Sequence, residues 1–305
     1  MARHQTEALK GLPDLTPRMS PRFVGLILLA LSFLAQGKTI RLKSGEAPTI
    51  QQTIDRLSKN DGFTHIQLAP GTYREKITIS ANKPPLKFSG TPGKTRIVFN
   101  SSAKTAGPDG KEIGTFRSSS VIIESDDFTA EGITFENDHG PGVQAVALSI
   151  GGDRAIFRQC RFLGWQDTLL VRRKRQFFDQ CEIAGSVDFI FGDAIAYFKN
   201  CRIHCRDDGY ITASSTDEEK EFGYVFSNFP SSAEPDIKVY LGRPWRPHAS
   251  VHFLQCHLPA NIRPEGWNNW RDPKNEKTAR YFEWQNTGPG ANTDSRVSWL
   301  RPLEN

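Results

Sequence analysis

Long apolar runs are scarce in this chain, and so are cysteine, methionine and any large excess of one charge. The longest uncharged apolar run, FVGLILLALSFLA at residues 23–35, has 13 residues. As a helix it measures ~20 Å, short of a ~30 Å hydrocarbon core, so no comfortable membrane span is expected. Net charge is +5, and +3 without residues 1–37. A surface so mildly basic suits an acidic polymer or a membrane surface without choosing between them, and charge alone leaves nucleic acid open. Five cysteines are an odd number, so they cannot all pair within the chain. Cys201-Arg202-Ile203-His204-Cys205 falls short of the four ligands structural zinc usually takes, and no metal is expected there. From Ile66 to the C-terminal region no strong helical periodicity interrupts the chain. No strand pairs joined by hairpin turns are visible either, which argues against a sandwich or barrel.

What is present begins with an export signal. Arg18 and Arg22 precede the apolar run, and Ala35-Gln36-Gly37 follows it with small residues suited to cleavage. Residues 1–37 are therefore read as a signal peptide or signal anchor, with Met19 as a possible true start. The remainder, 38–305, is read as one catalytic domain. Pro48 to Lys59 (PTIQQTIDRLSK) spaces Ile50, Ile54 and Leu57 helically, and predicts a short capping helix. After it come short β-branched runs, each closed by Gly, Asn, Pro or Asp.

These runs repeat. Phe157-Arg158-Gln159-Cys160 returns as Phe178-Asp179-Gln180-Cys181, Phe198-Lys199-Asn200-Cys201 and Phe253-Leu254-Gln255-Cys256. The first three cysteines step by 21 and 20 residues. Short strands at that period predict an all-β solenoid, a right-handed parallel β-helix with long loops. Asp167 and Asp188 each lie seven residues after a repeat cysteine, so they hold equivalent places on successive coils. Coils stack ~4.8 Å apart. The two carboxyls are expected side by side on one exposed face, with pKa values pushed apart. Gln144 and Gln166, 22 residues apart, are expected on the same face.

Segments around these residues resemble the pectin methylesterases, the β-helical carbohydrate esterases. They are Gly71-Thr72-Tyr73-Arg74-Glu75, Gln144-Ala145-Val146-Ala147-Leu148, Gly164-Trp165-Gln166-Asp167-Thr168-Leu169, Gly185-Ser186-Val187-Asp188-Phe189-Ile190-Phe191-Gly192 and Leu241-Gly242-Arg243-Pro244-Trp245. The late segment Asn286-Thr287-Gly288-Pro289-Gly290-Ala291 matches too. The resemblance implies a pectinesterase that removes methyl esters from galacturonosyl residues and releases methanol. It implies Asp188 as nucleophile and Asp167 as general acid, then base. Gln144 and Gln166 would form the oxyanion site, Arg243 would hold Asp188 ionised and aligned, and Trp245 would line the sugar groove. Thr115 matches a substrate contact, with Gln144 and Arg243 also touching substrate. No cofactor is implied. The partner would be methyl-esterified homogalacturonan, with no nucleic acid, no stable membrane association once the signal is cleaved, and a monomeric, secreted protein, extracellular or periplasmic. Two departures stand out: Leu170 replaces a frequent aromatic, and Asp193 replaces a frequent Asn.

Other readings stay open at this level. Cys181 and Cys201 could form a bridge between coils or belong to a ladder of free thiols. Arg172-Arg173-Lys174-Arg175 is a solvated loop or a clamp for substrate carboxylates. Trp267, Trp270 and Trp284 are sugar platforms or C-terminal packing. Asn100-Ser101-Ser102 fits a glycosylation acceptor. An esterase for another acyl ester, such as a thioester, and a non-catalytic carbohydrate-binding solenoid are the competing functions.

Overall fold

Phenylalanines one coil apart stack on each other inside the chain. Phe157, Phe178, Phe198, Phe226 and Phe253 follow in succession at 5.0, 4.6, 4.5 and 4.7 Å between ring centroids. Backbone register pairs the same residues across neighbouring parallel strands. Each stacked pair adds about 0.5–1.5 kcal/mol beyond its buried area. The structure, a computed structural model, describes residues 37–303. The signal-like run at 23–35 lies outside the described residues.

The coils form the right-handed parallel β-helix that the repeat predicts. One face is a ten-stranded sheet running from Lys38–Leu42 to Arg280–Trp284. The remaining strands make a twelve-stranded sheet that turns over two faces. It does so because the strand Glu182–Gly192 pairs with Arg161–Leu163 near its start and with Leu169–Val171 near its end. One column of partners runs Leu148, Leu169, Ile190, Thr212, Gly242. Its first three steps stay near 21 residues, and the last, 30 residues, carries an inserted loop.

The polar residue of the repeat has a role that periodicity does not announce. Gln159, Gln180, Asn200 and Gln255 all have φ between 51° and 55°, the left-handed region. Each turns the chain from one face to the next, just before the inward cysteine. Asn tolerates this conformation better than most residues. Side-chain amides then link coil to coil, Gln159 to Gln180 at 3.3 Å and Asn228 to Asn200 at 2.8 Å. The five cysteines are free and buried. Cys181 and Cys201 donate to the carbonyls of Phe157 and Phe178 at 3.5 Å, so the thiol ladder is the arrangement present.

Both ends of the core are covered. The predicted helix is Ile50–Asp55, shorter than expected, opened by a capping box between Thr49 and Gln52 and closed at Arg56. Glu75 accepts from the backbone N–H groups of Ile50 and Gln51, and Ile50 and Ile54 are fully buried. At the other end Trp267 is buried against Tyr281, with ring centroids 4.0 Å apart. Trp267 is therefore packing, whereas Trp284 ends the last strand half-buried. Ser101 and Ser102 are buried and Asn100 is exposed.

Candidate active site

The two aspartates sit where the chain turns in the left-handed region, Asp167 at φ 63° and Asp188 at φ 53°. Asp188 falls within the register shifts of its own strand, a bulge that re-aims the side chain. Glycines make room on either side. A Cβ on Gly185 would lie 2.3 Å from Cβ of Phe189, and one on Gly192 would lie 2.0 Å from the Val171 carbonyl. The Asp167 N–H donates to the Val187 carbonyl at 3.0 Å, which locks the two turns together. The coil equivalence read from sequence is thus realised. The exposed face is not: Asp167 is 8% and Asp188 6% exposed.

Arg243 distinguishes the pair. Its Nε and Nη2 reach Asp188 Oδ1 and Oδ2 at 2.9 and 2.7 Å, a two-pronged contact. Arg243 lies on the strand Val239–Pro244, two pairings beyond the Asp188 strand, so only a long side chain can reach back. Its guanidinium is held between Trp270, 3.7 Å from the ring centroid, and Tyr210, 3.9 Å away. Two aromatic faces fix its plane and keep water off it. Tyr210 is in turn stacked on Tyr240 at 5.2 Å.

The electrostatics follow from this asymmetry. Burial pushes the Asp167 carboxyl well above the ordinary range, the Asp188 charge pushes it further, and Arg243 only partly opposes. Burial also raises Asp188, against the hydrogen bonds and charge of Arg243. The guanidinium limits a rise that burial causes and does not bring Asp188 below its ordinary value. Burial and the Asp188 charge both disfavour an ionised Asp167, whereas the guanidinium contact favours the charge on Asp188.

Gln144 and Gln166 are adjacent across coils, since the Ala145 N–H donates to the Gln166 carbonyl at 3.2 Å. Both are half-buried. Among the described residues neither side-chain amide has a hydrogen-bond partner, so both keep donors to offer. Trp245 stands 5.9 Å from Phe191 and 6.3 Å from Phe116, the residue after Thr115. Trp245 and Trp270 both rest on a small buried cluster of Val146, Leu170, Phe191 and Ala213. Leu170 is 1% exposed, so it lies beneath the wall and does not form its surface. Asp193 accepts from the Arg173 N–H at 3.0 Å and has Lys220 at 3.5 Å, which offsets its extra charge.

Sequence reasoning missed Tyr210 and left Trp270 undecided. Counting did not place Tyr210, because the bulge between Val187 and Ile190 breaks the register and pairs Tyr210 with Val187, the neighbour of Asp188. Trp270 sits in an irregular segment with no repeat to place it. The His204 ring lies 3.0 Å from Ser232 and from Glu234, and Cys205 is buried. Among the described residues, no group of three or more His, Cys, Asp or Glu is placed to hold a metal ion.

A carboxyl gripped by a guanidinium, a second carboxyl one coil away and two free amide donors are the groups that acyl transfer calls for. Comparison with known proteins agrees. The family model for Pectinesterase matches residues 40–302. Pectinesterase 31 of Arabidopsis thaliana is 40% identical over 269 residues, covering 85% of each chain. The pectin methylesterase from carrot superposes with a TM-score of 0.82 at 31% identity, covering 90% of this chain and 91% of that one. A pectin methylesterase solved in complex with a hexasaccharide has a TM-score of 0.78 at 28% identity, covering 89% and 94%. This chain belongs to the pectinesterase family.

Proposed function

We propose that this chain hydrolyses methyl esters of galacturonosyl residues in pectin, with Asp188 as nucleophile and Asp167 as acid, then base. The observation that carries the reading is the single guanidinium bound to one of two coil-equivalent carboxyls. A carboxylate is a weak nucleophile and must be dehydrated, oriented and kept charged. Burial dehydrates Asp188, and Arg243 supplies orientation and charge balance. An Asp188 oxygen attacks the ester carbonyl carbon. The resulting oxyanion is stabilised by the amides of Gln144 and Gln166, each typically worth about 3 kcal/mol. As the carbonyl re-forms, the C–O bond to methoxide breaks, and Asp167 gives its proton to release methanol.

The acyl-enzyme is a mixed anhydride. Asp167, now a carboxylate, takes a proton from water. The water oxygen attacks the substrate carbonyl, and the bond to Asp188 breaks. Asp188 returns as carboxylate, Asp167 is protonated again, and the second water proton leaves with the uronic acid product and ionises into solvent. Trp245 and Thr115 line the sugar groove in this reading. Methanol release from highly methylated pectin, with chain length unchanged and polygalacturonate left intact, is the expected result. Chain cleavage without methanol would sink the reading in favour of a depolymerase on the same fold.

Residues 38–305 act as the catalytic domain, as a monomer, on a neutral-to-acidic polysaccharide and not on nucleic acid. Among the described residues no helix is long and apolar enough to cross a membrane. Export, outside the cell or to the periplasm, rests on the basic-apolar-small pattern of residues 18–37. Amino-terminal sequencing of the protein recovered outside the cytoplasm is expected to begin near Lys38. A chain retained in the membrane with residues 23–35 intact would instead show a signal anchor.

A further inference from the structure

The basic run between the two catalytic motifs is not uniform. Arg173 approaches Glu124 at 3.3 Å, Lys174 meets Asp126 at 3.0 Å, and Arg175 grips Asp153 through two side-chain nitrogens. These three are hydrogen-bonded to acids of earlier coils, so they stiffen a corner of the solenoid. Arg172 differs. Its ion-pair contact, with Glu124, is 3.9 Å, beyond hydrogen-bond reach, and Arg173 approaches the same carboxylate more closely. Among the described residues no acceptor takes a hydrogen bond from its guanidinium. Its side chain is 27% exposed.

Arg172 is also turned toward the site. Its guanidinium carbon lies 5.3 Å from the ring centroid of Phe116. Phe116 is 48% exposed, unusual for so large an apolar side chain in this chain. The Phe116 ring neighbours Trp245, and Trp245 neighbours Phe191, three residues beyond Asp188. A cation whose guanidinium has no hydrogen-bonded partner among the described residues thus stands over an exposed aromatic surface that continues to the nucleophile.

We propose that Arg172 binds a free carboxylate on the pectin chain at a subsite beside the ester being cleaved, so that esters next to already de-esterified residues react preferentially. The inference rests on the esterase reading above. Phe116 offers a flat apolar surface to a sugar ring, and the ring in turn holds the guanidinium through a cation–π contact. The planar fork of arginine matches a carboxylate with two parallel hydrogen bonds. A methyl ester lacks both the charge and the second strong acceptor. Arg172 therefore separates charged from neutral neighbours, while Asp188 acts on the ester itself.

Initial rates of methanol release at low ionic strength test this on two substrates of equal chain length, one fully and one partly methyl-esterified. The quantity read is the ratio of kcat/KM, partly over fully esterified. Arg172→Gln is expected to lower that ratio about three- to tenfold, mainly through KM. Arg172→Lys should restore part of it. Arg172→Met, which keeps an apolar stem over Phe116, should not, and this separates charge from packing. Added salt should shrink the preference of the unaltered chain and leave the Gln variant nearly flat. An equal ratio in the unaltered chain and Arg172→Gln at low salt overturns the proposal, as does full rescue by Met. If the unaltered chain releases no methanol from either substrate, the esterase reading itself fails, before any variant is compared.

Discussion

Asp188→Ala lowers methanol release from methylated pectin by about 10⁴-fold or more, since no other group can take over the acyl-enzyme step. Asp167→Asn is expected to lose about 10²–10⁴-fold, the range for a removed general acid and base. Activity within tenfold of the unaltered chain in either variant removes that residue from the mechanism. Asp167→Asn carries a second, opposite prediction for stability. The folded chain holds this carboxyl well above its ordinary value of 3.8, through burial first and the Asp188 charge second. Between those two values the folded state binds a proton that the unfolded state has released. Stability contributed by the protonated group is complete below the unfolded value and is lost as pH rises through the folded one. Asn does not titrate and removes that loss. The variant should therefore melt higher than the parent at neutral pH, with the gap narrowing toward pH 4. A melting temperature that falls at all pH values would mean Asp167 is held by stabilising contacts instead. The same pair predicts the pH dependence of kcat/KM: Asp188 ionisation sets the acid limb and Asp167 deprotonation the alkaline limb.

Glu283→Gln costs about 3–5 kcal/mol of stability, the usual result of leaving one partner of a buried ion pair uncompensated. Glu283 and Arg296 have side chains only 2% and 3% exposed. Arg296 Nε and Nη2 donate to the two Glu283 oxygens at 2.9 and 3.1 Å, and Trp267 Nε1 donates to the same carboxylate at 2.9 Å. The remaining guanidinium donors reach the carbonyls of Pro264 and Gly290 at 2.9 and 2.6 Å. The pair thus ties three irregular segments over the open end of the last coil. Gln keeps the shape and a partner for Trp267 but strands the Arg296 charge. For a chain of this size the melting temperature should drop by roughly 6–20 °C. A drop below about 2 °C would show that the end cover contributes little to the cooperative unit. Replacing both residues with apolar side chains should recover much of the loss, because the penalty lies in the unpaired charge.

The solenoid was legible because its period is carried by residues that must repeat. Four coils repeat an inward aromatic, a left-handed turn residue and an inward cysteine, and stacking identical side chains rewards identical spacing. The aspartate pair was legible for the same reason, since equal distance from Cys160 and Cys181 means equal position on two coils. The irregular segments were not. Residues 265–270 form no strand and join the column through a single bridge from Trp267 to Gly242, so nothing in their order says that Trp267 turns into the core while Trp270 covers Arg243.

By itself, the amino-acid order determined the architecture, the equivalent placement of Asp167 and Asp188 on successive coils, and the residues Gln144, Gln166 and Arg243 that join them. Only the tertiary structure decided that the pair is buried, that Arg243 reaches back across an intervening strand to one member alone, and that Tyr210 and Trp270 hold it there. It also decided which cation of the run Arg172–Arg175 has no hydrogen-bonded carboxylate. The physical reason is the difference between register and reach. Register follows from counting along a repeat. Burial, ion pairing and proton location depend on where long side chains end, and those ends meet across coils far apart in sequence.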